Sequence, residues 1–179
     1  METAFQAELD QWGAYFGFVG TGAVTLLGLL FIAVSLRLNI FRDQNVADVR
    51  DFARLTLFSF LAPMAITGLA LMPHEQPLML ALPLLLVSAV GVVASIILVR
   101  EWVVLNQGQE SNGKGVQPGQ VRGWIYVAIV GLEYLALSVV AVLFLTGSGA
   151  GFFTLAGVQG WMVLTGTVNA WIVLSNAGG

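Results

Sequence analysis

Glu133 is the residue whose placement could do chemistry, because it is an ionisable side chain set well inside an apolar stretch, residues 124–146. It lies nine residues past Trp124; at about 1.5 Å per residue that is roughly 13 Å, close to half of a hydrocarbon layer about 30 Å thick. A charged carboxyl at that depth costs on the order of 3 kcal/mol, so it is expected to be neutral, paired, or turned toward a wet cavity. Two roles follow. One is a carboxylate that handles protons or cations, facing a cavity or a symmetry axis. The other is a protonated acid hydrogen-bonded to a neighbouring helix, a fastener for the bundle. No intramembrane Lys, Arg or His could pair with it, and its helical face (Tyr126, Val130, Ala136, Leu137, Val140) is mostly apolar. Both facts favour the fastener.

The remaining reactive residue types assemble no catalytic or metal site. His74 is the sole histidine, so it could offer at most one axial ligand to a pigment or haem, and no cofactor is expected. Ser148 could be imagined beside His74 as a hydrolytic dyad, but glycines flank it and no orienting acid beyond Glu75 is at hand. A turn accounts for it better. Gly147, Gly149 and Gly151 have the look of a phosphate-binding run without the preceding strand such a run needs. The single lysine, Lys114, falls in a loop, where it cannot carry retinal as a Schiff base, and there are no cysteines for thiolate chemistry. A non-enzymatic protein is expected.

The elements that must position Glu133 are set by composition. Of 179 residues 58% are hydrophobic and only 9% charged, against about 25% charged in a soluble domain; the mean hydropathy is +0.87. Such a chain reads as an all-α, multi-pass membrane bundle. With a net charge of -3 and no basic run, no nucleic-acid partner is expected. The first ten residues hold Glu2, Glu8 and Asp10 and no cation, so the first apolar segment is expected to stay as a membrane span and not to be cleaved.

Five segments have the length and bounding residues of spans: about 12–38, 55–72, 78–99, 124–146 and 152–174. Asn45 and Asp48 provide a cap ahead of the second, which contains Pro63 as an expected kink or hinge; Pro83 falls in the first turns of the third. Residues 106–120, rich in glycine and polar side chains, read as a mobile loop. The fifth segment is the most polar, with Thr154, Gln159, Thr165, Thr167 and Asn169. Asn169, beside Trp171, is expected near the cytoplasmic interface, solvated or hydrogen-bonded locally.

Orientation follows from the cations. Arg37, Arg42, Arg50 and Arg54 flank the first connector and Arg100, Lys114 and Arg122 the third, which accounts for all seven. By the positive-inside rule those connectors are cytoplasmic, the N-terminus is outside and the C-terminus inside. Trp12, Trp102, Trp124 and Trp171 fall near span ends, as an interfacial aromatic belt requires. No internal repeat is evident, and an odd number of spans argues against a two-halves transporter.

Lipid supplies little hydrophobic drive for helices to associate, so small and hydroxyl residues at helical spacing mark packing faces. Such stripes are Gly13, Gly17, Thr21, Thr25, Gly28 and Ser35 on the first segment, Thr56, Ser59, Pro63 and Thr67 on the second, and Ser88, Gly91 and Ser95 on the third.

The run from Gly22 to Leu36, with its Gly28-Leu-Leu-Phe-Ile-Ala-Val-Ser-Leu36 core, followed by a polar connector and a proline-rich second turn, resembles a group of uncharacterised bacterial multi-pass membrane proteins. The resemblance covers roughly the N-terminal half. It implies a bacterial inner-membrane protein and brings no activity. The expected role is lateral: a subunit packed in the lipid bilayer against copies of itself or other membrane subunits. The competing expectation is a small homo-oligomeric channel or carrier for protons or cations built on Glu133.

Overall fold

The computed structural model describes residues 2–36, 47–72, 76–110 and 118–176, which form five α-helices and no strand. They are α1 (Glu2–Leu36), α2 (Ala47–Ala70), α3 (Pro77–Glu110), α4 (Pro118–Leu145) and α5 (Ala150–Asn176). α5 is the hub, packing against α1, α2 and α4; α3 is held chiefly by α4, and α1 chiefly by α2. Glu133 therefore sits on the helix that joins α3 to the rest of the bundle.

Three helices contain stretches long and apolar enough to cross a membrane: Ala4–Ala33, Pro77–Ile97 and Val127–Leu145, with a shorter apolar stretch at Thr56–Ala70. On that composition the chain is a membrane protein. The distribution of polarity agrees with a lipid environment, because several polar side chains are buried beside the apolar core while many large apolar ones face outward. Thr56, Ser59, Thr67, Ser88, Ser95, Glu133, Gln159 and Asn169 are buried, while Phe18, Phe31, Phe58, Leu86, Leu132 and Phe153 are exposed. Outward hydroxyls bond to carbonyls of their own helix, Thr25 to Thr21 at 2.8 Å, Thr154 to Ala150 at 2.8 Å and Thr167 to Val163 at 2.8 Å. A hydroxyl with no water beside it needs such a local acceptor.

The helices run past the segments read from hydropathy. α1 begins ten residues before Trp12 because Phe5, Leu9, Trp12 and Phe16 recur on one face; Phe5 and Leu9 are buried, and the Phe5 ring lies 6.1 Å from that of Phe144 and 5.4 Å from that of Phe152. The N-terminal residues thus belong to the core. Pro77, expected in the turn, is the first residue of α3, where its missing N–H costs nothing. The expected loop at 106–120 is shorter: α3 continues to Glu110 and α4 starts at Pro118, while residues 111–117 lie outside the described residues. No proline interrupts the chain between Pro83 and Pro118, so nothing forces α3 to stop at the membrane boundary.

α4 ends in a Schellman motif. Gly147 has φ +69°, Ser148 N–H donates to the Leu143 carbonyl at 3.0 Å, and Gly147 N–H donates to the Phe144 carbonyl at 3.0 Å. That tight reversal turns α5 back along α4 and brings Thr165 to the level of Glu133.

Several sequence expectations fall on positions that are not described. Arg37, Arg42, Asn45, His74, Glu75 and Lys114 lie outside the described residues, as do the side chains of Arg50, Arg54, Trp102, Arg122, Trp124 and Tyr126. Arg100 is described and exposed.

Candidate functional site

Glu133 is buried on the α5-facing side of α4, 4% exposed. Its helical neighbours Leu137, Val140 and Ala141 are fully buried, so the acid shares the bundle-facing stripe of α4. The Thr165 side chain of α5 approaches the carboxyl, while Oε1 is buried with no hydrogen-bond partner. Beside it α4 and α5 diverge into a groove of about 230 Å³ lined by Leu132, Glu133, Ala136, Gly157, Val158 and Trp161. Leu132 and Trp161 are more than half exposed on the outer surface, so the groove opens sideways, toward lipid, and not along the bundle axis.

A second polar node ties three helices together. The Tyr15 hydroxyl donates to the Ala156 carbonyl at 2.8 Å, linking α1 to α5. The Thr67 hydroxyl donates to the Phe16 carbonyl at 3.3 Å, linking α2 to α1, and Gln159 Nε2 donates to the Thr67 hydroxyl at 3.5 Å, linking α5 to α2. Gln159 is fully buried and its Oε1 has no partner. Asn169 is buried too, 3% exposed, with Nδ2 unpartnered. That corrects the expectation of a solvated interfacial asparagine: Asn169 is three residues after Gly166 and seven after Met162, both buried, and shares their face of α5.

The packing stripes divide into two groups. Ser59, Thr67, Ser88, Gly91 and Ser95 lie between helices of this chain. Gly91 receives the Tyr134 ring of α4 at a separation no Cβ could share, and Ser95 lies 3.6 Å from where a Cβ of Gly131 would sit. Ser95 and Ser88 hydroxyls bond back to Gly91 and Leu85 carbonyls at 2.8 and 2.9 Å. Pro63 is buried within α2, which continues as helix on both sides of it.

The α1 stripe does something else. Thr21, Thr25, Gly28 and Ser35 are exposed, and a Cβ added at Gly13, Gly17 or Gly28 would meet nothing within 4 Å. Among the described residues no helix covers that face. The close approach on α1 is made instead by Gly20, which abuts Thr67. Gly20, Gly131 and Gly166, the last with its Cβ position 3.0 Å from Phe60, were not singled out in the sequence, nor was Tyr15. The available signal for Gly20 is its spacing from Phe16 and Ala23, both buried on the same face.

At the end of the bundle where α1 begins, a cavity of about 640 Å³ is lined by Phe5, Glu8, Gln76, Phe144, Ser148 and other residues of the helix ends. Glu8 Oε1 lies 3.2 Å from the Cβ position of Gly149, just ahead of the first turn of α5. That turn has no acid of its own, so Glu8 supplies the negative charge that a helix N-terminus favours. Ser148 thus neighbours an acid that faces a helix start. Among the described residues no three Asp, Glu or His side chains converge to hold a metal ion.

No family model, curated protein or solved structure matches the chain.

Proposed function

We propose that this chain is a non-enzymatic integral membrane subunit that acts by packing laterally in a homo-oligomer or a larger membrane complex. The carrying observation is the outward face of α1, where Gly13, Gly17 and Gly28 meet open space and Thr21 and Thr25 are exposed. Small residues at this spacing let another backbone come close, and in lipid such contact is a main source of helix association. Every other small-residue stripe singled out in the sequence is covered within the chain. The α1 face is the one left for a partner.

We place all five helices in the bilayer. α5 has 27 residues, which at about 1.5 Å each exceed a core about 30 Å thick; the apolar part of α2, Thr56–Ala70, is shorter, and a short span is accommodated by local thinning of the bilayer with the charged first turns of α2 at the interface. The polar residues that lower the hydropathy of α5, Gln159 and Asn169, are buried, and its outer side carries Phe153, Trp161, Leu164 and Val168. The cation distribution orients the N-terminus outside and the C-terminus in the cytoplasm, and the likeness of the first span supports a bacterial inner membrane. Cross-linking or native mass spectrometry in the native membrane and in bilayer discs tests the assembly: a discrete species above one chain is expected, and a strict monomer in both contradicts it.

One observation favours a second reading, a proton or cation channel or carrier: the unpartnered Oε1 of Glu133. Under that reading protein in liposomes passes ions and Glu133→Gln alters the flux; liposomes silent across pH and voltage remove it.

A further inference from the structure

Glu133, Trp161 and Gly157 meet in the lateral groove between α4 and α5, and each contributes something a ligand could use. The Glu133 side chain is 4% exposed, with Oε1 buried and unpartnered, and it lines the groove. Trp161 forms the opposite wall with its indole 53% exposed. Gly157 leaves the floor open, because a Cβ there would meet nothing within 4 Å. The rest of the lining, Leu132, Ala136 and Val158, is apolar.

From this juxtaposition we infer that the groove is a binding site for a lipophilic organic cation that enters from the bilayer. Four considerations set the ligand class. An acid held in hydrocarbon gains most from a neighbour of opposite charge, since an ion pair there replaces the hydration the carboxylate has lost. The cation described in this chain, Arg100, is exposed on α3 and is not among the residues lining the groove. An indole is the aromatic side chain most attractive to a cation, the more so where water is excluded. The opening toward lipid admits a molecule whose apolar bulk stays in the membrane while its charged centre lies beside the Glu133 side chain that edges the groove. An anion would be repelled by the acid, and a neutral apolar molecule would make no use of it.

The site involves α4 and α5 and not the outward face of α1, so it stands whether or not the chain assembles through that face and whether or not it transports anything. The test compares tetraphenylphosphonium with tetraphenylborate, ions of like shape and opposite charge, for binding to the full chain in phosphatidylcholine discs against empty discs. Saturable binding of the cation at one site per chain is expected, at least tenfold tighter than any saturable binding of the borate. Glu133→Gln, which keeps the shape and removes the charge, is expected to erase that preference. Trp161→Leu should weaken the cation several-fold and Trp161→Phe less. Gly157→Leu fills the groove with Glu133 intact, starting from a Cβ position that meets nothing within 4 Å, and should abolish binding. Gly17→Leu should leave binding unchanged. The inference is overturned if the cation partitions no better than into empty discs, if the borate binds equally well, or if folded Gly157→Leu binds like the wild-type chain.

Discussion

Gly20 of α1 lies against Thr67 of α2 so closely that no Cβ fits between them, while Gly17, about one turn earlier, faces open space. The two are neighbours on the helix surface, Gly20 buried under α2 and Gly17 at the edge that α2 leaves uncovered. The inner one lets α2 approach and places the Thr67 hydroxyl within reach of the Phe16 carbonyl. The outer one has no counterpart among the described residues.

The two glycines should answer differently to the same change. Gly20→Ala forces Thr67 and α2 outward, an overpacking of the kind that costs about 1–3 kcal/mol. Gly17→Ala adds a methyl group in open space and removes a glycine from a helix interior, so it should be neutral or stabilising by up to about 1 kcal/mol. Denaturant unfolding of the chain in detergent micelles measures both. Equal effects would mean that the α1–α2 contact is not the one described.

Tyr15→Phe removes the hydroxyl that α1 donates to the Ala156 carbonyl. Ala156 lies inside α5, so its carbonyl keeps the partner of its own helix, and interhelical hydrogen bonds in membranes average only about 0.6 kcal/mol. A loss of that size in the same unfolding assay is expected, and a loss above about 2 kcal/mol would assign the tyrosine a larger role.

Gln159 has one satisfied and one unsatisfied polar atom in a fully buried setting. Gln159→Leu removes the unpartnered oxygen together with a long hydrogen bond, and should be neutral or stabilising. Thr67→Val leaves the Gln159 amide without its acceptor and should cost about 1–3 kcal/mol. In the double variant the cost should fall below that of Thr67→Val alone, because no orphaned amide remains.

Glu133→Gln retains a group that can meet the Thr165 side chain, whereas Glu133→Leu does not. The first should preserve the α4–α5 contact and any assembly that depends on it, and the second should weaken both. Identical thermal unfolding of the two variants would end the argument for Glu133 as a fastener.

Much of the architecture was legible in the sequence because lipid imposes it. Helices long enough to cover about 30 Å without charge leave few alternatives, and the five segments anticipate the five helices. Their ends were not legible, since hydropathy marks the membrane boundary and not where a helix stops; Phe5 and Leu9 show the first helix continuing by packing on Phe144 and Phe152. The burial of Glu133 could be read from its depth. Its groove could not, because that depends on how α4 and α5 diverge. Asn169 was misplaced for a related reason: position along a helix gives depth, but the face it occupies is decided by the partners of α5. Gly13 and Gly17 had the strongest motif yet meet nothing within the chain, while Gly20 makes the contact. A spacing rule identifies faces suited to packing and is silent on whether the partner is the same chain.

The central claim is that the outward face of α1 is an assembly surface, and the oligomeric state of Gly17→Leu in lipid discs tests it most directly. A Cβ at position 17 meets nothing within 4 Å, so the variant is expected to keep wild-type helicity while its assembly shifts to single chains. A variant that assembles like the wild-type protein would contradict the account.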